Sequence, residues 1–202
     1  MSVTVSGGTK IASRIAELKR KFREAPTVLI GVPKAEGNYE DGTHIATVAA
    51  AQEFGANINH PGGTPYGYAT EKDASNGRVR FLKKGQGYAV LGETSAHNIS
   101  IPERSFLRSG VADSEKGIKK IYENMMPKVV DGSMDIDTMQ KLVGELCVGN
   151  IVSKIESGIG PPNASSTVRK KGSSNTLIDS GTLRQSITYV IAPTGENIEE
   201  GL

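Results

Sequence analysis

Only one cysteine, Cys147, occurs in the 202 residues, so no disulfide within the chain is possible and a reducing compartment is its natural setting. Aromatic residues are scarce at 5%, and apolar residues of all kinds make up 37%. A core must therefore be built from Ile, Val, Leu and Ala, and it will be thin. No stretch approaches the roughly 20 apolar residues of a membrane span. Met1 to Gly8 is polar and lacks the apolar run of a secretory signal. Neither sign of charge dominates, with 24 basic residues against 22 acidic and a formal net charge of +2. Nucleic-acid binders usually carry a stronger basic bias, so charge singles out no partner class.

What the chain does have is glycine, 24 residues, with 9 prolines. Long loops or hairpins follow. A thin core with many loops often completes its buried area against a neighbour, which is a first hint of oligomerisation. The length suits one domain with an elaboration, read here as a single α+β domain over 1–202.

Ile11, Ile15, Leu18 and Phe22 are spaced four, three and four apart, the stripe of an amphipathic helix. Lys10, Arg14, Lys19, Arg20, Lys21 and Arg23 cover the rest of it, and Pro26 ends it. Val28 to Val32 follows at once as a buried strand, which suggests that the helix lies across the sheet. Thr43 caps a second helix, His44 to Phe54, with Ile45, Val48, Ala49 and Phe54 on its apolar side and Gly55 at its close.

Residues 56–100 change character. Pro61-Gly62-Gly63 and Ser75-Asn76-Gly77 are turn chemistry. Val79, Phe81 and Tyr88, Val90 alternate on either side of Lys83 to Gly87, which predicts a hairpin. Asn98 to Ile101 alternates as well and returns to the sheet. The segment reads as a β-rich insertion lying partly outside the core. Pro102 to Gly110 is then an irregular joint, and Asp113 or Ser114 caps a third helix that Pro127 ends. Asp135 or Asp137 opens the longest helix, where Met139, Leu142, Val143, Leu146, Cys147, Ile151 and Ile155 recur at helical spacing until Gly158. Residues 163–174 read as a mobile polar loop, 187–191 as a strand and 193–202 as a polar tail.

No motif in this order selects an enzyme. His60 and His97 meet if the two ends of the insertion come together, but a zinc site needs further ligands and no His-x-x-x-His or Cys-x-x-Cys pair supplies them. Capping or surface hydrogen bonding is the plainer role. Cys147 sits on the apolar stripe and reads as core packing. No Walker loop and no Gly-x-Ser-x-Gly is present, Gly85-Gln86-Gly87 reads as a turn, and the acidic residues are scattered. Two basic clusters remain, the first helix and Arg169-Lys170-Lys171, and either can touch phosphates. The alternatives kept beside the leading reading are a nucleic-acid-binding module built on the first helix and a small metal-dependent hydrolase using His60, His97 and a loop carboxylate.

Three segments together carry a resemblance: Val48 to Gly55, ending in Glu-Phe-Gly; Ile101-Pro102-Glu103-Arg104-Ser105-Phe106-Leu107-Arg108; and Leu177-Ile178-Asp179-Ser180-Gly181-Thr182-Leu183-Arg184-Gln185-Ser186-Ile187. Their order and spacing resemble the virion morphogenesis proteins of tailed bacteriophages, the neck and tail-completion proteins that join head to tail. The resemblance implies an α+β fold with a long helix on a mostly antiparallel sheet. It implies a non-enzymatic subunit, without cofactor or metal, in a six- or twelvefold ring assembled in the host cytoplasm and kept in the virion. Its partners would be the tail tube or the head connector, with DNA passing through the ring. On this reading Arg104, Phe106, Leu107 and Arg108 are candidate interface residues, with Arg104 and Arg108 on one helical face or else bracing their own subunit. Arg169, Lys170 and Lys171 are candidate lining of the DNA channel. The segment 56–100 is longer than in minimal members of the family.

Overall fold

A computed structural model describes residues 8–194; most of the polar tail, from residue 195, lies outside the described residues. The chain forms two compact units, one from residues 8–54 with 103–194 and the other from Gly55–Pro102. The second unit is the segment expected to be an insertion. The architecture is α+β.

In the first unit α1 (Gly8–Arg23) leads into β1 (Thr27–Gly31), and after a single 3-10 turn at Lys34–Glu36 the chain enters α2 (Ile45–Phe54). His44 accepts the Ala46 N–H through Nδ1 at 3.3 Å, so it serves at the start of α2, where Thr43 was expected to act. Gly55 takes a left-handed φ of +72° and closes the helix.

The second unit holds β2 (Ala56–His60), β3 (Pro65–Tyr68), the short α3 (Glu71–Ser75), β4 (Arg80–Phe81), β5 (Ala89–Glu93) and β6 (His97–Ile101). β2 and β6 form an antiparallel ladder, so Asn98 to Ile101 pairs within this unit and does not return to the sheet of the first. The expected hairpin across Lys83 to Gly87 is corrected: β4 and β5 do not pair with each other but lie on opposite sides of β3. Leu82 N–H donates to Pro65 O and Tyr88 N–H to Tyr68 O, both at 2.8 Å. Gly67 permits this. A Cβ there would stand 2.1 Å from Ala89 O, at the bulge where β5 gains a residue. Buried Asp73 ties α3 to β4 through Arg80 at 2.9 Å.

The chain returns to the first unit through α4 (Leu107–Asp113), α5 (Glu115–Asp131), α6 (Ile136–Glu156), α7 (Ser165–Lys171), α8 (Thr182–Gln185) and β7 (Thr188–Ala192). β7 pairs antiparallel with β1 from Thr27↔Ala192 to Gly31↔Thr188. The long helix α6 packs on both strands, with Gly144 admitting the Tyr189 ring to within 2.4 Å of where a Cβ would stand. Its apolar stripe is buried as the spacing predicts, with Cys147 and Ile151 at 0% exposure. Gln140, also buried, donates to Pro26 O at 3.0 Å and accepts from Tyr122 Oη at 3.0 Å, tying α6 to the chain before β1 and to α5.

Three expectations fail locally. Pro127 does not end its helix: α5 continues to Asp131 and closes at left-handed Gly132. Fully buried Val129 holds the next turn in place. The loop at 163–174 contains α7, which Gly172 closes by donating its N–H to Val168 O at 2.8 Å. The stripe of α1 is not covered by the sheet, because Ile11 (64%), Ile15 (48%) and Phe22 (37%) are exposed. Arg14 on this helix donates to Val130 O on α5 at 2.8 Å.

Candidate functional site

The last turn of α2 carries Glu53, buried to 1% exposure. A carboxylate at a helix C-terminus faces the wrong end of the helix dipole, so it needs strong partners elsewhere. They come from the chain entering α4. Oε1 accepts from Ser105 Oγ at 2.8 Å, Arg108 N–H at 3.2 Å and Arg108 Nε at 2.8 Å, while Oε2 accepts the Leu107 N–H at 2.8 Å. Two of these donors are backbone amides at the start of α4, which lack partners within the helix. Burial raises the Glu53 pKa, but the bonds from Arg108, Leu107 and Ser105 outweigh it and hold the carboxyl below its ordinary value. Arg108 also reaches Glu103 at 2.6 Å, and its guanidinium sits 4.9 Å over the Phe54 ring. Phe54, expected on the apolar side of its helix, is instead 54% exposed beneath that cation.

Arg104 completes the joint. It is buried at 6% exposure and donates to Gln52 Oε1 at 2.9 Å, Pro161 O at 2.8 Å and Pro162 O at 3.4 Å. Phe106 and Leu107 lie in the main core with Ala49, Leu183 and Ile187. The interface assignment is therefore corrected. Arg104, Phe106 and Leu107 face inward and brace their own unit, and Arg104 precedes α4, so it does not share a helical face with Arg108. Of the four, only Arg108 reaches the surface.

Beside this joint a cleft of about 300 Å³ is lined by Tyr39, Asp41, Gln52, Lys171, Asp179 and Leu183, among others. Lys171 donates to Asn175 O at 2.6 Å. Desolvation pulls its pKa down, with Arg104 adding to the effect and Asp179 opposing it. Desolvation pushes the Tyr39 hydroxyl up, helped by Asp179 and Asp41. Lys171 thus lines a cleft within its own unit. Arg169 and Lys170 precede it on α7.

No family model, curated protein or solved structure matches this chain.

The second unit brings His60 and His97 together as cross-strand partners, their rings stacked with centroids 5.0 Å apart. His60 Nδ1 accepts the Gly62 N–H at 3.0 Å, which leaves the proton of the neutral ring on Nε2. His97 Nδ1 faces Ser95 O at 2.8 Å, so that nitrogen carries the proton. One ring offers a free lone pair and the other a donor, which is hydrogen-bonding chemistry and not a chelate. Among the described residues no group of three or more His, Cys, Asp or Glu is placed to hold a metal ion. Among them, too, no helix is long and apolar enough to cross a membrane.

Apolar surface is the other feature with chemical reach. Phe81 (74%), Tyr88 (59%), Val90 (58%) and Leu91 (51%) are exposed on and beside β4 and β5, the outer strands of their sheet. Outer strands of this kind present unpaired backbone groups to a neighbour.

Sequence reasoning singled out Arg104 and Arg108 but missed Glu53, the group that organises the joint. The signal was present: an acidic residue in the last turn of a helix, against the dipole.

Proposed function

We propose that this chain is a structural, ring-forming subunit of a tailed-phage neck or tail-completion assembly, joining copies of itself to tail-tube or head-connector proteins. One observation carries the reading. The three segments on which the resemblance rests, far apart in sequence, meet in one place. Glu53 of the first binds Ser105, Leu107 and Arg108 of the second, and Leu183 and Ile187 of the third pack with Phe106 and Leu107. The trio therefore behaves as one structural unit, as an ordered signature should. The exposed apolar residues of the second unit add support, since burying them against a neighbour stabilises an assembly by about 25 cal/mol per Å² of apolar area. The joint itself is saturated by bonds from its own chain, so it is read as the rigid frame of its unit.

Light scattering of the purified protein across a concentration series tests the proposal. A defined multimer, near six or twelve subunits, supports it. A monomer at every concentration that also fails to bind tail-tube or connector proteins refutes it. Steeply salt-dependent, sub-micromolar DNA binding by a monomer would favour the nucleic-acid reading instead.

A further inference from the structure

We infer that the cleft beside α2 and α7 is a binding site for a small neutral polyol, of the size of one sugar ring, seated between Lys171 and Asp179. Its volume, about 300 Å³, lies at the small end of ligand pockets, which run to about 1,000 Å³. Lys171 and Asp179 both line it. Asp179 attracts the Lys171 ammonium, yet the two make no direct ion pair. Lys171 Nζ donates to Asn175 O at 2.6 Å, which leaves it two further N–H groups. Opposite charges held apart across a cleft leave room for a group that donates to the carboxylate and accepts from the ammonium. A hydroxyl does both.

Two other lining groups have their hydrogen-bonding sense fixed by residues that do not line the cleft. Gln52 Oε1 accepts from Arg104 Nη1 at 2.9 Å, so Gln52 has its NH2 left as a donor. Asn163 Nδ2 donates to Asn175 O at 3.1 Å, so Asn163 has its carbonyl left as an acceptor. The Tyr39 hydroxyl keeps its proton at neutral pH, because desolvation and the carboxylates of Asp179 and Asp41 raise its pKa. Val48 and Leu183 supply apolar wall for the C–H side of a ring. Polar groups preset in this way lower the ordering cost of binding. Leu177 lines the cleft too, and among the described residues it alone outside glycine takes a left-handed φ, +61°. Backbone strain of this kind gathers at ligand sites. Charge then selects the ligand. Asp41 and Asp179 stand against Lys171 and the Arg104 that acts on it, two charges of each sign. An anion meets the carboxylates, a cation meets the ammonium and guanidinium, and a neutral molecule escapes both repulsions. The inference does not depend on the ring proposal.

Saturation-transfer NMR on the full chain tests it, with D-glucose, D-galactose, D-mannose and myo-inositol as probes at up to tens of millimolar. Free glycine, inorganic phosphate and spermidine serve as charged competitors. The expected result is transfer to at least one polyol. Its Kd should rise at least about tenfold in Asp179→Ala and in Lys171→Gln, each of which removes a hydrogen bond to a charged group. Asp179 is exposed, so Asp179→Ala keeps the test valid if Lys171→Gln harms folding. Transfer to none of the polyols overturns the inference. A polyol affinity unchanged in Asp179→Ala overturns it by placing the ligand elsewhere. Tighter binding of free glycine, phosphate or spermidine, weakened by the same variants, overturns it in favour of a zwitterion, an anion or a cation.

Discussion

Replacing Glu53 separates the hydrogen-bonding role of the joint from its ion pair. Glu53→Ala strands the buried Leu107 N–H, which costs about 1–3 kcal/mol, and removes the bonds from Ser105 Oγ and Arg108 N–H at about 1 kcal/mol each, for a loss near 3–5 kcal/mol. Glu53→Gln keeps the volume. Its single carbonyl oxygen can serve either the three donors at Oε1 or Leu107, and the amide nitrogen must face a donor at the other position. The expected loss is about 1–3 kcal/mol. Arg108→Ala should cost less than either, because its guanidinium is half exposed and its bridge to Glu53 is partly solvated. Urea denaturation at neutral pH, with the slope unchanged, measures all three. The sign of the pH effect follows from the lowered Glu53 pKa. Its stabilisation is present above the ordinary value of 4.5 and is lost as pH falls through the lower folded value, so wild type and Glu53→Gln converge in acid. A Glu53→Ala loss under about 1 kcal/mol, or an Arg108→Ala loss exceeding it, would refute this account of the joint.

Three further outcomes are expected. Gly110→Ala sets a Cβ 2.5 Å from Ile151 Cγ1 and 2.8 Å from its Cα, where α4 crosses α6. The helices must separate, and thermal or urea melts should show a loss of about 1–3 kcal/mol or more. Pro127→Ala restores an N–H inside α5, and with Pro about 3 kcal/mol less favourable than Ala in a helix interior, stability should rise measurably. Gly67→Ala, with its Cβ 2.1 Å from Ala89 O, should displace β5 from β3 and raise amide exchange across Ala89–Glu93.

Periodicity settled the elements whose sides are chemically distinct. The stripe from Met139 to Ile155 needed no partner to be read, because apolar residues at helical spacing can be buried in only one way. Gly55 marked a helix end for the same local reason: a left-handed φ suits glycine. The strands at 28–32 and 187–191 were legible from composition, and their mutual pairing was not, since the paired positions lie far apart in the chain, Gly31 opposite Thr188 at the nearest. The hairpin reading failed because alternation says that a strand exists and never which strand is its neighbour. β3 lies between β4 and β5 because Gly67 lets the backbones approach, a contact that no neighbouring residue in sequence reveals. Pro127 and α7 show the converse, local signals of breakage or looseness overridden by burial and by a capping glycine. The joint belongs wholly to tertiary structure. Arg104 and Arg108 look alike in sequence, four apart and both basic. One is buried on carbonyls of 161 and 162, and the other, at the surface, bridges buried Glu53 and exposed Glu103, because the turn into α4 starts between them and sends them different ways. Sequence by itself determined the longer helices α1, α2, α5 and α6, and it did not reveal the short α3, α4, α7 and α8. Only the folded chain decided that Glu53 is buried and that the stripe of α1 is left open, because both depend on which distant segments arrive.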